Sequence, residues 1–316
     1  MNAAPGIVTV TLNAAVDQTL QVPGFRAGAV NRAMAETRTA GGKGINVAAF
    51  LSGGTHRVTA AGFLGKDNTA AFEALFGRRG IEDRCLRVPG STRVNIKIVD
   101  RAGGSVTDIN LPGPRIPADS WQALQSTLED LAEESRCFVL AGSVPEGVPE
   151  TAYAELTERL HRRGAFVAVD ASGQPLREAV AARPELVKPN VHELSELVGR
   201  PLPDRDEVVE AALELAGSGI ALVAVSMGAD GAVLVEKGRA LLAVPPAVEV
   251  ASTVGAGDAM VAGIVAARLD GGDLEACARR GTAFAAGTLS LLGPELPPAA
   301  RLAELASAVR IQELPT

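Results

Sequence analysis

Between Ser252 and Met260 the chain reads STVGAGDAM, and its residue types ask for two opposite chemistries. Gly255, Ala256 and Gly257 are small enough to bring backbone N–H groups against a phosphate. The apolar run Ala259–Leu269 behind them reads as a buried helix, so those N–H groups would be the unpaired donors of its N-terminus. Asp258 puts a carboxylate at the same place. Beside a bound phosphate it would set one negative charge against another. If it faces water it is only an acidic residue favoured in a first helical turn. The pattern is neither a Walker A loop, which needs G-x-x-x-x-G-K-[ST], nor a dinucleotide fingerprint.

Four other stretches carry residue types that suit the same chemistry. In AGGKGINVA (Ala40–Ala48) glycines and Lys43 precede an apolar helix, so Lys43 either neutralises a phosphate or is a solvated lysine in a helix-entry turn. Asp17 follows the first strand, where a short carboxylate can accept from two hydroxyls of a polyol. Arg93 and Lys97 alternate in STRVNIKIVD and share one strand face, as a phosphorylated ligand would need or as an edge strand would display to solvent. In VKPNVHEL, Asn190 and Glu193 stand three apart at a helix start. There they can hold the water shell of Mg²⁺, form a capping box, or do both. His192 between them reads as an exposed helical residue.

These residues need a scaffold, and the chain supplies one by alternating short β-branched runs with Ala/Leu-rich helical patterns, the βαβ signature of a mostly parallel sheet covered on both faces. Strands are predicted at Ile7–Leu12, Val58–Gly62, Cys137–Ala141, Phe166–Asp170, Leu186–Lys188 and Ala221–Ser226, with a further strand-like Ala247–Val250. Helices are predicted near Asn46–Ser52, Thr69–Arg79, Ala118–Glu133, Pro149–Arg163, Val191–Val198 and Glu207–Ala216. The segments at about 17–39 and 91–110 alternate without following helices and should pair as a small separate sheet. It would be a lid over the strand ends, or else an antiparallel edge extension. Nothing forces a domain boundary within 1–316. Composition narrows the partners: a net charge of −7, 3% aromatic residues and no dense Lys/Arg run disfavour nucleic acid. No segment has ~18 uncharged apolar residues, no basic leader opens the chain, and the three cysteines lack paired spacing. A cytoplasmic protein with no membrane association is expected.

Taken in order, TLNAAVD, AGGKGINVA, GFLGKDN, LVKPNVHEL, VSMGADGA and VSTVGAGDAMVAG resemble the ribokinase-like, or PfkB, family of sugar kinases over nearly the full length. The resemblance implies a doubly wound α/β domain with a small β-sheet lid that can make a homodimer contact. It implies ATP along Ser226, Gly228 and Gly231 and the segment Thr253–Gly257, with Lys188 and Asn190 also at the nucleotide, and Asp258 as catalytic base beside Lys43. It implies sugar-phosphate contacts from Asp17, Gly42, Lys43, Asn46, Arg93, Lys97 and Ser143, and Mg²⁺ held through water by Asn190 and Glu193. The expected acceptor is a phosphorylated ketose, fructose 1-phosphate first, with tagatose 6-phosphate or fructose 6-phosphate as alternatives. A non-catalytic sugar-phosphate sensor on the same fold is the reading from another class. Ala14, Met227 and Ala259 depart from the family's usual Pro, Leu and Ser, and none removes a charge or donor that the chemistry requires.

Overall fold

The computed structural model describes residues 6–100, 103–291 and 293–316. The first five residues of the expected leaderless N-terminus, and residues 101–102 of the second lid segment, lie outside the described residues. In chain order the elements are β1 (Gly6–Thr11), β2 (Ala15–Gln21), β3 (Ala35–Gly41), α1 (Lys43–Leu51), β4 (Val58–Gly65), α2 (Ala70–Arg79), β5 (Glu82–Val88), β6 (Arg93–Asp100), β7 (Ser105–Asn110), α3 (Ala118–Leu131), β8 (Ser135–Ala141) and α4 (Ala152–Arg162). There follow β9 (Phe166–Asp170), α5 (Gly173–Ala181), β10 (Leu186–Val187), α6 (Val191–Val198), α7 (Arg205–Gly217), β11 (Leu222–Ser226), β12 (Ala232–Glu236), β13 (Arg239–Val244), α8 (Ala256–Leu269), α9 (Leu274–Leu289), α10 (Ala299–Ala308) and β14 (Arg310–Leu314).

The main sheet runs β14-β13-β12-β11-β10-β9-β8-β1-β4-β5. From β5 to β11 all neighbours are parallel, and the last three pairings are antiparallel. Side chains of β1 alternate between two cores: Ile7 packs with α1, α8 and α9, while Val8 and Val10 pack with α3, α4 and α7. That period of two explains why the buried strands read as unbroken apolar runs, since both faces are covered by helices. The chain leaves β1 for β4 on one side and reaches β8 on the other, so the strand order reverses at β1. A crevice therefore opens at the C-terminal ends of β1 and β8, the position where open α/β sheets hold ligands.

The expected small sheet forms. Its order is β3-β2-β6-β7, with β2 and β6 parallel, so the two segments pair with each other. Ala247–Val250 is not a strand, contrary to expectation. The preceding Pro245 and Pro246 remove two consecutive backbone donors, so β13 ends at Val244.

Candidate active site

The catalytic candidate is built where α8 begins. Gly255 caps the helix with φ +84°, a left-handed conformation that a side chain would resist, and a Cβ there would lie 3.6 Å from the Phe50 ring. The helix it starts is almost wholly buried, which carries Asp258 inward to 6% exposure. Asn46, one turn into α1, donates from Nδ2 to Asp258 Oδ2 at 2.7 Å. Burial lifts the Asp258 carboxyl to about 7, with repulsion from Asp170 adding to it, against the Asn46 hydrogen bond, Lys43 and Lys188. The helix dipole therefore does not hold this group fully ionised at neutral pH; desolvation outweighs it.

Beneath α8 lies a cluster that the sequence reading only half anticipated. Asp170, the last residue of β9, is fully buried and accepts from Lys43 Nζ at 2.9 Å, with Lys188 Nζ at 3.4 Å. Burial pushes the Asp170 carboxyl up, but Lys188 and Lys43 together outweigh it and hold the group below its usual value. Its Oδ2 is buried without a hydrogen-bond partner among the described residues. Lys43 opens α1, with Gly42 as its N-cap, and keeps its ammonium protonated: burial opposes the charge, but Asp170, Asp258 and Glu193 more than restore it. Lys188 is buried, and a Cβ on Gly257 would come within 3.3 Å of its ammonium. Two lysines and two carboxylates thus sit under the first turn of α8.

The lid supplies the opposite wall. Register places Asp17 beside Asn95 and Thr39, with Arg93 and Lys97 on the same sheet face. Asn95 Nδ2 donates to Asp17 Oδ1 at 3.0 Å, and a Cβ on Gly41 would collide with Asp17 Oδ2 at 2.1 Å, so only glycine leaves room for this carboxylate. Burial raises Asp17, partly offset by Asn95, Arg93 and Lys97. The two lid cations are not equivalent. Lys97 is committed to Asp108 at 2.7 Å. Arg93 makes no ion pair among the described residues; it donates from Nη2 to the Asn13 carbonyl at 3.2 Å and from Nη1 to Asn95 Oδ1 at 3.3 Å, while its Nε is buried and unpartnered. Asn13 Nδ2 in turn donates to Ser143 Oγ at 3.0 Å, so Arg93, Asn13 and Ser143 are joined across the crevice mouth.

Asn190 and Glu193 form the capping box in full. Glu193 N–H donates to Asn190 Oδ1 at 2.8 Å, and Asn190 N–H donates to Glu193 Oε2 at 2.9 Å. Asn190 bridges to Ser226 at the end of β11, and the tight turn Gly228–Asp230 follows before Gly231. A cleft of about 810 Å³ opens between this turn, Asn190–His192 and the start of α7. His192 is exposed, as expected, and faces Glu196 at 3.5 Å. Thr253 is exposed at the approach to α8. Two residues escaped the sequence reading: Asp170, whose signal is a carboxylate ending an apolar strand, and Asn13, in the turn directly after β1.

The pattern of the pfkB family of carbohydrate kinases matches residues 2–300. The chain belongs to that family. It is therefore a carbohydrate kinase, and its relatives narrow the group further. It is 52% identical to the 1-phosphofructokinase of Rhodobacter capsulatus over 310 residues, 98% of each chain. It is 37% identical to that of Escherichia coli K12 over 306 residues, 97% of this chain and 98% of the relative. Among solved structures, phosphofructokinase-2 from Escherichia coli in complex with fructose-6-phosphate superposes with a TM-score of 0.87 at 28% identity, covering 96% of this chain and 98% of that one. Arabidopsis thaliana ribokinase shares the fold, with a TM-score of 0.78 at 22% identity over 96% of this chain and 99% of that one.

Proposed function

We propose that this family member transfers the γ-phosphoryl group of ATP to the C6 hydroxyl of fructose 1-phosphate, giving fructose 1,6-bisphosphate and ADP. The observation that carries this reading is Arg93: a half-buried cation with no ion pair among the described residues and an unpartnered Nε, facing the crevice beside Asp17. A desolvated guanidinium with free donors suits a phosphate on the acceptor sugar better than a neutral polyol. The 52% identical relative carries the matching name.

In this mechanism Asp17 accepts from sugar hydroxyls while Arg93, Asn13 and Ser143 meet the sugar's phosphate end, with Lys97 supporting it at long range. Asp258 takes the proton from the C6 hydroxyl as the oxygen–phosphorus bond forms and the bond to the ADP oxygen breaks. The N–H groups of Gly255, Ala256 and Gly257 receive the charge spread over the equatorial oxygens. Lys43, whose side chain is 37% exposed even while paired with Asp170, offers its remaining donors to the phosphoryl group in transfer. Lys188 balances the same charge from below, and Gly42 and Asn46 fix the entry of α1. The nucleotide lies along Ser226, Gly228, Gly231 and Thr253, with Asn190 at its phosphate end. The donor set suits Mg²⁺ held through its waters: Glu193 keeps one carboxylate oxygen outside the cap, and a hard cation needs few direct protein ligands. The ion would neutralise phosphate charge. A cytoplasmic location and a homodimer through the lid complete the reading.

The test is a coupled ADP-release assay with fructose 1-phosphate, fructose 6-phosphate, tagatose 6-phosphate and ribose. Fructose 1-phosphate should give the highest kcat/KM. A preference for ribose would remove Arg93 from the role given to it here.

A further inference from the structure

At the C-terminal end of α1, opposite the end that bears Lys43, a second cavity of about 540 Å³ lies between α1, α9 and α10. None of the residues assigned above to sugar or nucleotide lines it. Its wall is apolar, with Phe50, Phe284 and Leu302, and its rim carries Arg79, Arg279 and Arg280, each paired with one carboxylate, together with His56.

The rim is incompletely satisfied. Arg279 is spent, donating to Glu275 at 2.8 Å and to the Val309 carbonyl at 2.7 Å. Arg79 and Arg280 each commit one terminal nitrogen, to Glu295 and Asp270 at 2.5 Å, and a guanidinium carries five N–H donors. Arg280 also lies 5.6 Å over the Phe284 ring, which fixes its plane at the cavity edge. The His56 side chain is 8% exposed; its Nε2 faces Asp270 at 3.1 Å, and its Nδ1 is buried with no partner among the described residues. A purely apolar ligand would seal the free N–H donors of Arg79 and Arg280 away from water unmet, and a small hydrophilic anion would leave the aromatic wall uncovered. A ligand with an apolar body and one anionic group satisfies both.

The cavity also touches the catalytic turn. Phe50 forms part of its wall, is 3% exposed, and packs against Gly255 at the start of α8. We propose that this cavity is a regulatory site for a small amphipathic anion, and that an occupant acts through Phe50 on the Gly255 turn. The observation that assigns it is a pair of rim guanidinia, Arg79 and Arg280, with N–H donors left free over an aromatic wall that backs onto the catalytic helix.

The probe is 1-anilinonaphthalene-8-sulfonate, followed by fluorescence with the full chain in saturating ADP so that the nucleotide cleft is filled. One saturable site is expected, weakened at least about tenfold in the Arg79→Ala/Arg280→Ala double variant and abolished by Ala303→Trp, which plugs the cavity from an exposed position on α10. Hexyl phosphate should displace the probe and hexanol should not. At saturating fructose 1-phosphate and Mg·ATP, the probe should shift kcat about twofold or more in the unmodified protein and leave Ala303→Trp unmoved. The site is overturned by the absence of saturable binding, by binding that Ala303→Trp leaves intact, or by equal displacement with hexanol. The route through Phe50 is overturned if kcat does not move, or if it moves equally in the plugged variant. The binding arms read out the cavity whether or not the acceptor sugar is the one proposed above.

Discussion

Asp258 sits where burial and function pull against each other. A carboxyl lifted to about 7 is close to ideal as a base near neutral pH, and it is also a liability to the fold. Asp258→Asn should keep substrate KM values near those of the unmodified protein while lowering kcat by ~10²- to 10⁴-fold. The same change should stabilise the protein. A carboxyl whose folded pKa is raised binds more protons folded than unfolded, so its cost appears as pH climbs above about 4 and is complete above about 7. Denaturant titration should therefore find the variant more stable by about 1–4 kcal/mol at pH 8, with the gain shrinking toward pH 4; an unchanged or lowered stability at pH 8 would refute the burial argument. Asn46 tests the tuning itself. Its hydrogen bond lowers the Asp258 pKa, so in Asn46→Ala the rising limb of kcat/KM against pH, expected near 7, should move to higher pH. At this scale the sequence was informative wherever a polar residue interrupted an apolar or glycine-rich run. Asp258, Lys43, Asn46, Arg93 and Asp17 all stand out that way, and the structure brings them to one crevice. Asp170 did not stand out, because a carboxylate at the end of an apolar strand looks like an ordinary strand terminus until Lys43 and Lys188 are seen to meet on it.

The elements place those residues through two devices, the left-handed start of α8 and the lid. Gly255→Ala must force a side chain into φ +84° against Phe50, costing about 1–2 kcal/mol of stability from the left-handed conformation alone. It should also lower kcat, because the N–H groups of the first turn shift with it. Full activity at normal stability would show that the turn is not strained. On the lid, Arg93→Ala should raise KM for fructose 1-phosphate by about 10- to 100-fold, the worth of a hydrogen bond to a charged group, and leave KM for ATP nearly unchanged. An equal rise for both would place Arg93 away from the sugar. The parallel strands and their helices were readable because strands buried on both faces become continuous apolar runs. The lid was readable from alternation without a following helix. What escaped was β5, whose EDRCLRV carries a charge at four of seven positions, the short α5, β13, the buried α9, α10, and β14, whose RIQEL pairs along one edge only. At the edge strands local pattern is weak and tertiary pairing decides, while in α9 the interior Gly281 and Gly287 interrupt the helical pattern and packing against α8 decides.

For the molecule as a whole, the distribution of apolar surface is uneven. Val30, Met34, Val106, Ile109 and Leu111, five of the large hydrophobic side chains left exposed, all lie on or beside the lid, with Val30 at 87% and Met34 at 79%. Ile109 pairs across the strands with Ile96 on the face opposite Arg93 and Lys97, whereas Val106 pairs with Val99 on the Arg93 face, so the outward apolar patch is built on Ile109 and its neighbours and not on Val106. A clustered patch on a small four-stranded sheet is costly to leave in water and marks a contact surface. A second copy of the chain is the simplest occupant, because the same patch then covers itself about a two-fold axis. The unmodified protein should therefore sediment as a dimer at micromolar concentration. Met34→Asp/Ile109→Asp, which puts a charge on each side of such an axis, should sediment as a monomer with unchanged helical content by circular dichroism. If pairing also steadies the lid over the crevice, that monomer should show a raised KM for the sugar phosphate and a nearly unchanged KM for ATP. A monomeric unmodified protein would mean that the lid's outer face is covered by something else.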